Sequence, residues 1–169
     1  MKLPNGITVD VTGVEWKYIF EEKVYDFWPY QKDWTVVDLG AFYGVFSFYV
    51  CGKVGHVYAV EPVPEVCTVL RRAVRENRID NVTVVEAAIG LETGRFPFTI
   101  YRRKYASSFK APRSFRDVDR IEKVRTYSWE DFLREYNIER VHYAKLDIEG
   151  SEADVLSRME TLPERIVVA

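Results

Sequence analysis

Val36-Val37-Asp38-Leu39-Gly40-Ala41-Phe42-Tyr43-Gly44 is a short apolar run that meets a carboxylate and turns through spaced glycines into a second apolar stretch, Val45 to Cys51. The pattern predicts a buried strand, a tight turn and a helix, with the N–H groups of the turn forming a concave polar nest at the helix N-terminus. A second strand-like run, Val57-Tyr58-Ala59-Val60, stops at Glu61. An acid about twenty residues further on, at the tip of the next parallel strand, is placed to accept hydrogen bonds from a ribose diol. Together the two features predict a ligand that contains adenosine.

The glycine spacing narrows the choice of ligand. A dinucleotide fingerprint, G-x-G-x-x-G, lets the backbone close on a pyrophosphate. Here the spacing is Asp38-x-Gly40-x-x-x-Gly44, with bulky Phe42 and Tyr43 inside the turn. A pyrophosphate fits such a turn poorly, which argues against a NAD-linked enzyme. An acid ahead of the first glycine suits a ligand that carries an ammonium group, as S-adenosylmethionine does. The competing reading is a tight strand-to-helix turn in some other α/β protein, and Glu61 weighs against it.

With 169 residues and 47% hydrophobic content, the chain is read as one domain with a two-sided core. A net charge of -2 and a pI near 5.8 give the whole molecule no field that would attract nucleic acid. No apolar stretch is long enough to span a bilayer, and Met1-Lys2-Leu3-Pro4 does not resemble a signal peptide, so a soluble cytoplasmic protein is expected. Cys51 and Cys67 fall within apolar helical patterns and read as core residues. His56 and His142 are the only histidines, which disfavours a histidine metal site or a serine-histidine hydrolase.

Residues 1–34 read as an N-terminal segment packed on the core, with short strands about the Asn5-Gly6 turn and a helix from Trp16 to Phe27. From residue 35 to 169, strands and helices alternate. Pro64 opens a helix that closes near Asn77, and Val82 to Ala88 is the third strand. This rhythm predicts a mostly parallel, doubly wound sheet with helices on both faces and a ligand at the carboxyl ends of its strands, where Asp38, Glu61 and Ala88 fall. A basic insert at about 94–125 interrupts it. Phe96 to Tyr101 reads as an added strand. After it come Arg102, Arg103, Lys104, Lys110, Arg113, Arg116, Arg120, Lys123 and Arg125, set against Asp117, Asp119 and Glu122. Two readings stand: a solvated loop, or a patch for an anionic acceptor such as a phosphorylated sugar, a lipid headgroup or RNA. Ser107-Ser108-Phe109 marks a lid within it.

Ser128, with Asp131 three residues on, predicts a capped helix through about Tyr136. The fourth strand follows in Val141-His142-Tyr143-Ala144-Lys145-Leu146-Asp147, continuing Ile148-Glu149-Gly150-Ser151-Glu152. In an extended chain Tyr143, Lys145 and Asp147 share a face. Lys145, Asp147 and Glu149 therefore crowd the strand end, as an ion-pair network or as catalytic groups, because charges in a central strand are costly.

The motifs at 36–44 and 145–152, with Val60-Glu61-Pro62, Ala87-Ala88-Ile89-Gly90 and Tyr127-Ser128-Trp129-Glu130-Asp131-Phe132-Leu133 between them in order, resemble the FkbM family of S-adenosylmethionine-dependent methyltransferases. The resemblance runs from about Val14 to the C-terminus. It implies a Rossmann-like class I methyltransferase fold and O-methylation of a hydroxyl on a sugar, glycan or small metabolite. On this reading Asp38 orients the methionine portion, and the backbone of Gly40, Ala41, Phe42, Tyr43 and Gly44 surrounds it. Glu61, followed by Pro62, holds the ribose, and Ala88 with Ile89 borders the adenine. Asp147 is the first choice as general base or as ligand to a divalent cation, Glu149 is the second, and Lys145 tunes their charge. The fold normally has seven strands, whereas Arg165-Ile166-Val167-Val168-Ala169 reads as the fifth, so the last two strands and the acid expected after the fifth are missing. Self-association through that apolar edge, or disorder of the last residues, is expected. The alternatives are an RNA methyltransferase, although no Asn-Pro-Pro-Tyr type motif follows the fourth strand, and a non-catalytic S-adenosylmethionine-binding module.

Overall fold

The computed structural model describes residues 1–11, 16–102, 106–110 and 116–169. Arg103, Lys104 and Arg113 of the basic run, and Val14 where the resemblance begins, lie outside the described residues. The β-branched runs form β1 (Thr35–Leu39), β2 (His56–Glu61), β3 (Val82–Glu86), β7 (Tyr143–Leu146) and β8 (Ile166–Val168). These make one five-stranded sheet in the order β3-β2-β1-β7-β8, parallel at every pairing. The chain moves outward from β1 to β3, then crosses back to lay β7 on the other side of β1. The carboxyl ends of β1 and β7 thus flank the point where strand order reverses, and in open α/β sheets a crevice forms there.

Side chains alternate between two buried layers because the strand period is two. Val36 and Tyr143 face a layer with Phe46, Tyr49 and Leu70. Val37, Leu39, Ala144 and Leu146 face the other, with Phe132, Leu133 and Val155. The helices are α1 (Lys17–Phe20), α2 (Val45–Val50), α3 (Pro64–Glu76), α4 (Trp129–Glu135) and α5 (Glu152–Leu156). Every residue of α2 is buried, which explains its unbroken apolar sequence. Helix α3 has proline in its first turn, buries Val66, Cys67, Leu70 and Ala73, and ends at Asn77, whose Nδ2 donates back to the Ala73 carbonyl at 2.7 Å. Ser128 caps α4, its Oγ accepting from the Asp131 N–H at 3.2 Å. Among the described residues no helix is long and apolar enough to cross a membrane.

Three sequence expectations need correction. The helix from Trp16 to Phe27 is a single turn, Lys17–Phe20, because Lys23 takes a left-handed φ of 55° and the aromatics beyond it turn onto the sheet. Tyr25 packs on Phe46, and Tyr30 on Tyr49 and Tyr143. The third strand ends at Glu86 rather than Ala88, and Ala88–Ile89 form a separate strand, β4. The basic stretch holds a strand of its own, β6 (Val118–Tyr127), which pairs antiparallel with β5 (Gly94–Tyr101) and parallel with β4 in a second, three-stranded sheet. Ser108 is docked on this sheet, exchanging two backbone hydrogen bonds with Thr99 at 2.9 and 3.0 Å. Two of its cations are answered by carboxylates: Arg120 reaches Glu65 of α3 and Glu122 at 2.8 Å, and Arg125 reaches Glu135 of α4 at 3.3 Å.

Gly40 shows how closely the two halves of the parallel sheet approach. At φ 74°, its position leaves no room for a Cβ, which would fall on the backbone oxygen of Asp147 in the loop after β7. Gly6 has φ 91° with nothing near its Cβ position. Gly6→Ala should therefore cost only the left-handed strain, about 1–2 kcal/mol, whereas Gly40→Ala adds a backbone collision. In thermal unfolding we expect a drop of about 2–8 °C for Gly6→Ala and clearly more than about 8 °C for Gly40→Ala. Equal shifts would refute the close approach.

Candidate functional site

Register places Asp38 of β1 opposite Lys145 of β7. Both are sealed in, with 0% and 4% of their surface exposed. Lys145 Nζ donates to Asp38 Oδ1 at 3.1 Å, and Ser47 Oγ of α2 donates to Asp38 Oδ2 at 2.7 Å. The same ammonium donates to the Gly40 carbonyl at 3.4 Å and stands 3.7 Å from Asp147 Oδ2. Burial alone would push the Lys145 amine down, but Asp38, Asp147 and the Asp38 hydrogen bond outweigh it and hold it above its ordinary value. Tyr25 of the N-terminal segment lays its ring 5.6 Å from this ammonium.

Glu61 ends β2 and is buried, yet among the described residues it pairs with no cation. Its Oε2 accepts from the Phe42 N–H at 3.0 Å and its Oε1 from the Val63 N–H at 2.9 Å, so one carboxylate ties the turn after β1 to the turn after β2. Burial raises its carboxyl to about 7 against the pull of those two N–H groups; Asp38 adds to the rise and Lys145 opposes it. Each carboxylate oxygen keeps lone-pair capacity for a further donor. Phe42 takes a left-handed φ of 50°, a conformation that costs a residue with a side chain and is held here by the Glu61 bond.

Glu152 shapes the loop after β7. Its Oε1 accepts from the N–H groups of Ile148 and Gly150 at 2.9 and 3.0 Å, while Glu149 and Gly150 turn through φ 56° and 92°. This holds the exposed Glu149 beside the strand end, where partial burial, Asp147 and Glu152 all raise its carboxyl. Glu152 was not singled out from the sequence. The available signal was a carboxylate two residues past a glycine at a helix start, in position to accept from the turn.

These loops border a cleft of about 710 Å³, counting its open part. Of the residues expected at the site, Gly40, Phe42, Glu61, Pro62, Ala88, Ile89, Asp147 and Glu149 line it. Asp38, Ala41, Tyr43, Gly44 and Lys145 do not: Asp38 and Lys145 are buried beneath it, Tyr43 stacks on Phe42, and Ala41 belongs to the core. Phe98, Ser107 and Phe109 of the second sheet and its docked segment close one wall, with Phe98 and Phe109 edge to face at 5.0 Å. Phe98 carries no sequence signal, since its alternation reads as an ordinary strand. Among the described residues no group of three or more His, Cys, Asp or Glu side chains could hold a metal ion. With an ammonium 3.7 Å from Asp147 as well, the donor set there does not fit a divalent cation.

A family model described as the methyltransferase FkbM domain matches residues 38–168. Methyltransferase 1 of Beauveria bassiana (strain ARSEF 2860) is 28% identical over 163 residues, covering 85% of this chain and 66% of that protein. Methyltransferase sdnD of Sordaria araneosa is 26% identical over 175 residues, covering 86% and 68%. The chain thus spans about two thirds of the length of these curated relatives. Among solved structures, precorrin 8w decarboxylase from Methanobacterium thermoautotrophicum aligns with 99% of this chain and 67% of its own, at 17% identity and a TM-score of 0.49. The family match begins at Asp38, ends in β8, and takes in the first motif from Asp38 on, the whole of the second and the whole rim of the cleft; the chain belongs to the FkbM methyltransferase domain family.

Proposed function

We propose that this domain binds S-adenosylmethionine in the cleft and transfers its methyl group to a hydroxyl oxygen of a sugar, glycan or small metabolite. The observation that carries the reading is Glu61: a buried carboxylate at the tip of β2, unpaired by any cation among the described residues, with lone pairs left for a ligand in a glycine-bordered cleft that Asp147 also lines. Ribose hydroxyls are the donors such a carboxylate suits. Ala88, Ile89, Phe98 and Phe109 all line the cleft and offer apolar surface to a planar base. Asp38 works as a positioning residue: it fixes Lys145, which in turn holds the Gly40 carbonyl and the Asp147 carboxylate at the cleft floor.

When bound, the cofactor supplies an electrophilic methyl group on a sulfonium. Asp147 is placed to draw the proton from an acceptor hydroxyl, which is a weak nucleophile until that proton is engaged. Lys145 sets the direction of the Asp147 carboxylate, and the Glu152 clamp on the loop limits how far Asp147 and Glu149 can drift. Such fixed placement of the acceptor oxygen supplies much of the acceleration in an in-line transfer. An RNA acceptor is less well supported, because Arg120 and Arg125 of the basic stretch already answer carboxylates.

The raised Glu61 carboxyl gives a signed pH dependence. A folded value of about 7 lies above the ordinary carboxyl range, so burial of Glu61 favours the protonated fold. Its contribution to stability is full in acid and is lost as pH rises through about 7. Thermal unfolding of the ligand-free protein should show that loss, and Glu61→Gln should lack it. Cofactor affinity runs the other way, since the ionised carboxylate accepts from both ribose hydroxyls. In calorimetry with S-adenosylhomocysteine, affinity should climb between about pH 6 and pH 8, and Glu61→Gln should be roughly ten- to a hundredfold weaker at the upper end. A flat profile shared by both proteins would sink the assignment.

Asp147→Asn keeps shape and removes the base. With radiolabelled cofactor and a panel of glycans and hydroxylated metabolites, turnover should fall about 10²- to 10⁴-fold while cofactor affinity holds. Turnover at the unaltered rate would make Asp147 a structural residue.

A further inference from the structure

Asp38, which the sequence assigns to the methionine portion of the cofactor, is sealed beneath the cleft, and Lys145 and Ser47 engage both of its oxygens. The amides of the turn after β1 are spent as well. Gly40 and Ala41 both donate to the Val60 carbonyl at 3.0 Å, Phe42 donates to Glu61, and Gly44 donates to the Ala41 carbonyl at 2.7 Å. Among the described residues that line the cleft there is no Lys, Arg or His, whereas Glu61, Asp147 and Glu149 are all present. The amino-acid end of the cofactor therefore meets acids that suit its ammonium, but no cation for its carboxylate. Lys145 lies under that end, donating to the Gly40 carbonyl and standing 3.7 Å from Asp147 Oδ2, and is itself only 4% exposed. The residue laid beside this ammonium is Tyr25, from the N-terminal segment.

We propose that the Tyr25 hydroxyl binds the carboxylate at the amino-acid end of the cofactor. The proposal rests on the cofactor reading above and adds the group that holds the far end of the ligand. The Tyr25 ring lies 5.6 Å from Lys145 Nζ, and that ammonium touches Gly40 and faces Asp147, so the phenol stands beside the Gly40–Asp147 end of the cleft. Its place is fixed from below: the Tyr25 carbonyl accepts from the hydroxyls of Tyr30 and Tyr143 at 3.0 and 2.9 Å, and its ring meets Phe46 edge to face at 5.2 Å. The hydroxyl is left over. Among the described residues it makes no hydrogen bond, and on a half-buried side chain it is not shut away from the surface. Burial lifts the phenol above its ordinary value, so it remains a donor; of the charges around it, Lys145, Asp147 and Asp38, the ammonium acts most strongly. A neutral donor backed by a buried cation suits a carboxylate, and the hydrogen bond gains from the ligand's charge. A carboxylate held there leaves Asp147 to the acceptor hydroxyl and fixes the sulfonium from both sides, by Glu61 through the ribose and by Tyr25 through the amino acid.

The test is calorimetry of the wild-type protein and Tyr25→Phe with two ligands: S-adenosylhomocysteine and S-adenosyl-3-thiopropylamine, the same molecule without its carboxylate. The wild-type protein should bind S-adenosylhomocysteine the more tightly. Tyr25→Phe should weaken S-adenosylhomocysteine by roughly ten- to a hundredfold and hold the decarboxylated ligand within about twofold of the wild-type affinity. An unaltered S-adenosylhomocysteine affinity in the variant overturns the proposal, and so does equal binding of the two ligands by the wild-type protein. An equal loss for both ligands overturns it too, since the hydroxyl would then serve the ammonium or the fold. The variant keeps the ring on Phe46 and removes an oxygen that has no partner, so its ligand-free melting temperature should match that of the wild type. A variant that does not fold would show the hydroxyl to be structural and would likewise overturn the proposal. If both proteins bind S-adenosylhomocysteine equally, only the Tyr25 assignment falls; if the wild-type protein binds neither ligand, the cofactor reading falls and takes the Tyr25 assignment with it.

Discussion

Asp38 and Lys145 face each other from adjacent strands in the middle of the parallel sheet, and the carboxyl end of that sheet is organised around their charge pair. Neither charge could be buried there alone. Removing one partner of such a pair typically costs about 3–5 kcal/mol, because the other is left buried without compensation. Ser47 binds the remaining Asp38 oxygen, which brings α2 into the same arrangement, and Lys145 reaches on to Gly40 and Asp147. One buried ammonium thereby fixes the relative positions of the β1 turn, α2 and the loop after β7.

The cleft inherits its rigidity from that arrangement through two further carboxylates. Glu61 spans the turns after β1 and β2, and Glu152 gathers the loop after β7. Both hold backbone in left-handed conformations, at Phe42 in the first case and at Glu149 and Gly150 in the second. Strain stored in this way is characteristic of sites that must be formed before the ligand arrives. The chemistry we assign to Glu61 and Asp147 needs that property, since a methyl transfer gains most from placement and least from polarisation.

The parts of this site that were legible in sequence are those whose cause is local. A strand that meets an acid and turns through Gly40 and Gly44, a helix that starts at Pro64 and stops at Asn77, and Ser128 paired with Asp131 all carry their structural reason within a few residues. Glu61 was legible from its distance to the first motif. What escaped depends on distant partners. β6 reads as a charged loop because Arg120, Glu122 and Arg125 mask the strand pattern, and only its register with β5 shows the pairing. Trp16, Ile19, Phe20 and Val24 keep helical spacing, yet α2 draws Tyr25 away and β7 draws Tyr30, and the helix stops after one turn. That Asp38 is closed off from the cleft could not be seen without knowing that Lys145 lies beside it.

A crystal structure of the protein with S-adenosylhomocysteine tests the central claim most directly. The account predicts both ribose hydroxyls on the Glu61 carboxylate, the base against the apolar surface of Ala88, Ile89, Phe98 and Phe109, and the Asp38–Lys145 pair undisturbed beneath the ligand. A ligand whose amino or carboxylate group displaces Lys145 from Asp38, or one seated away from Glu61, would contradict it.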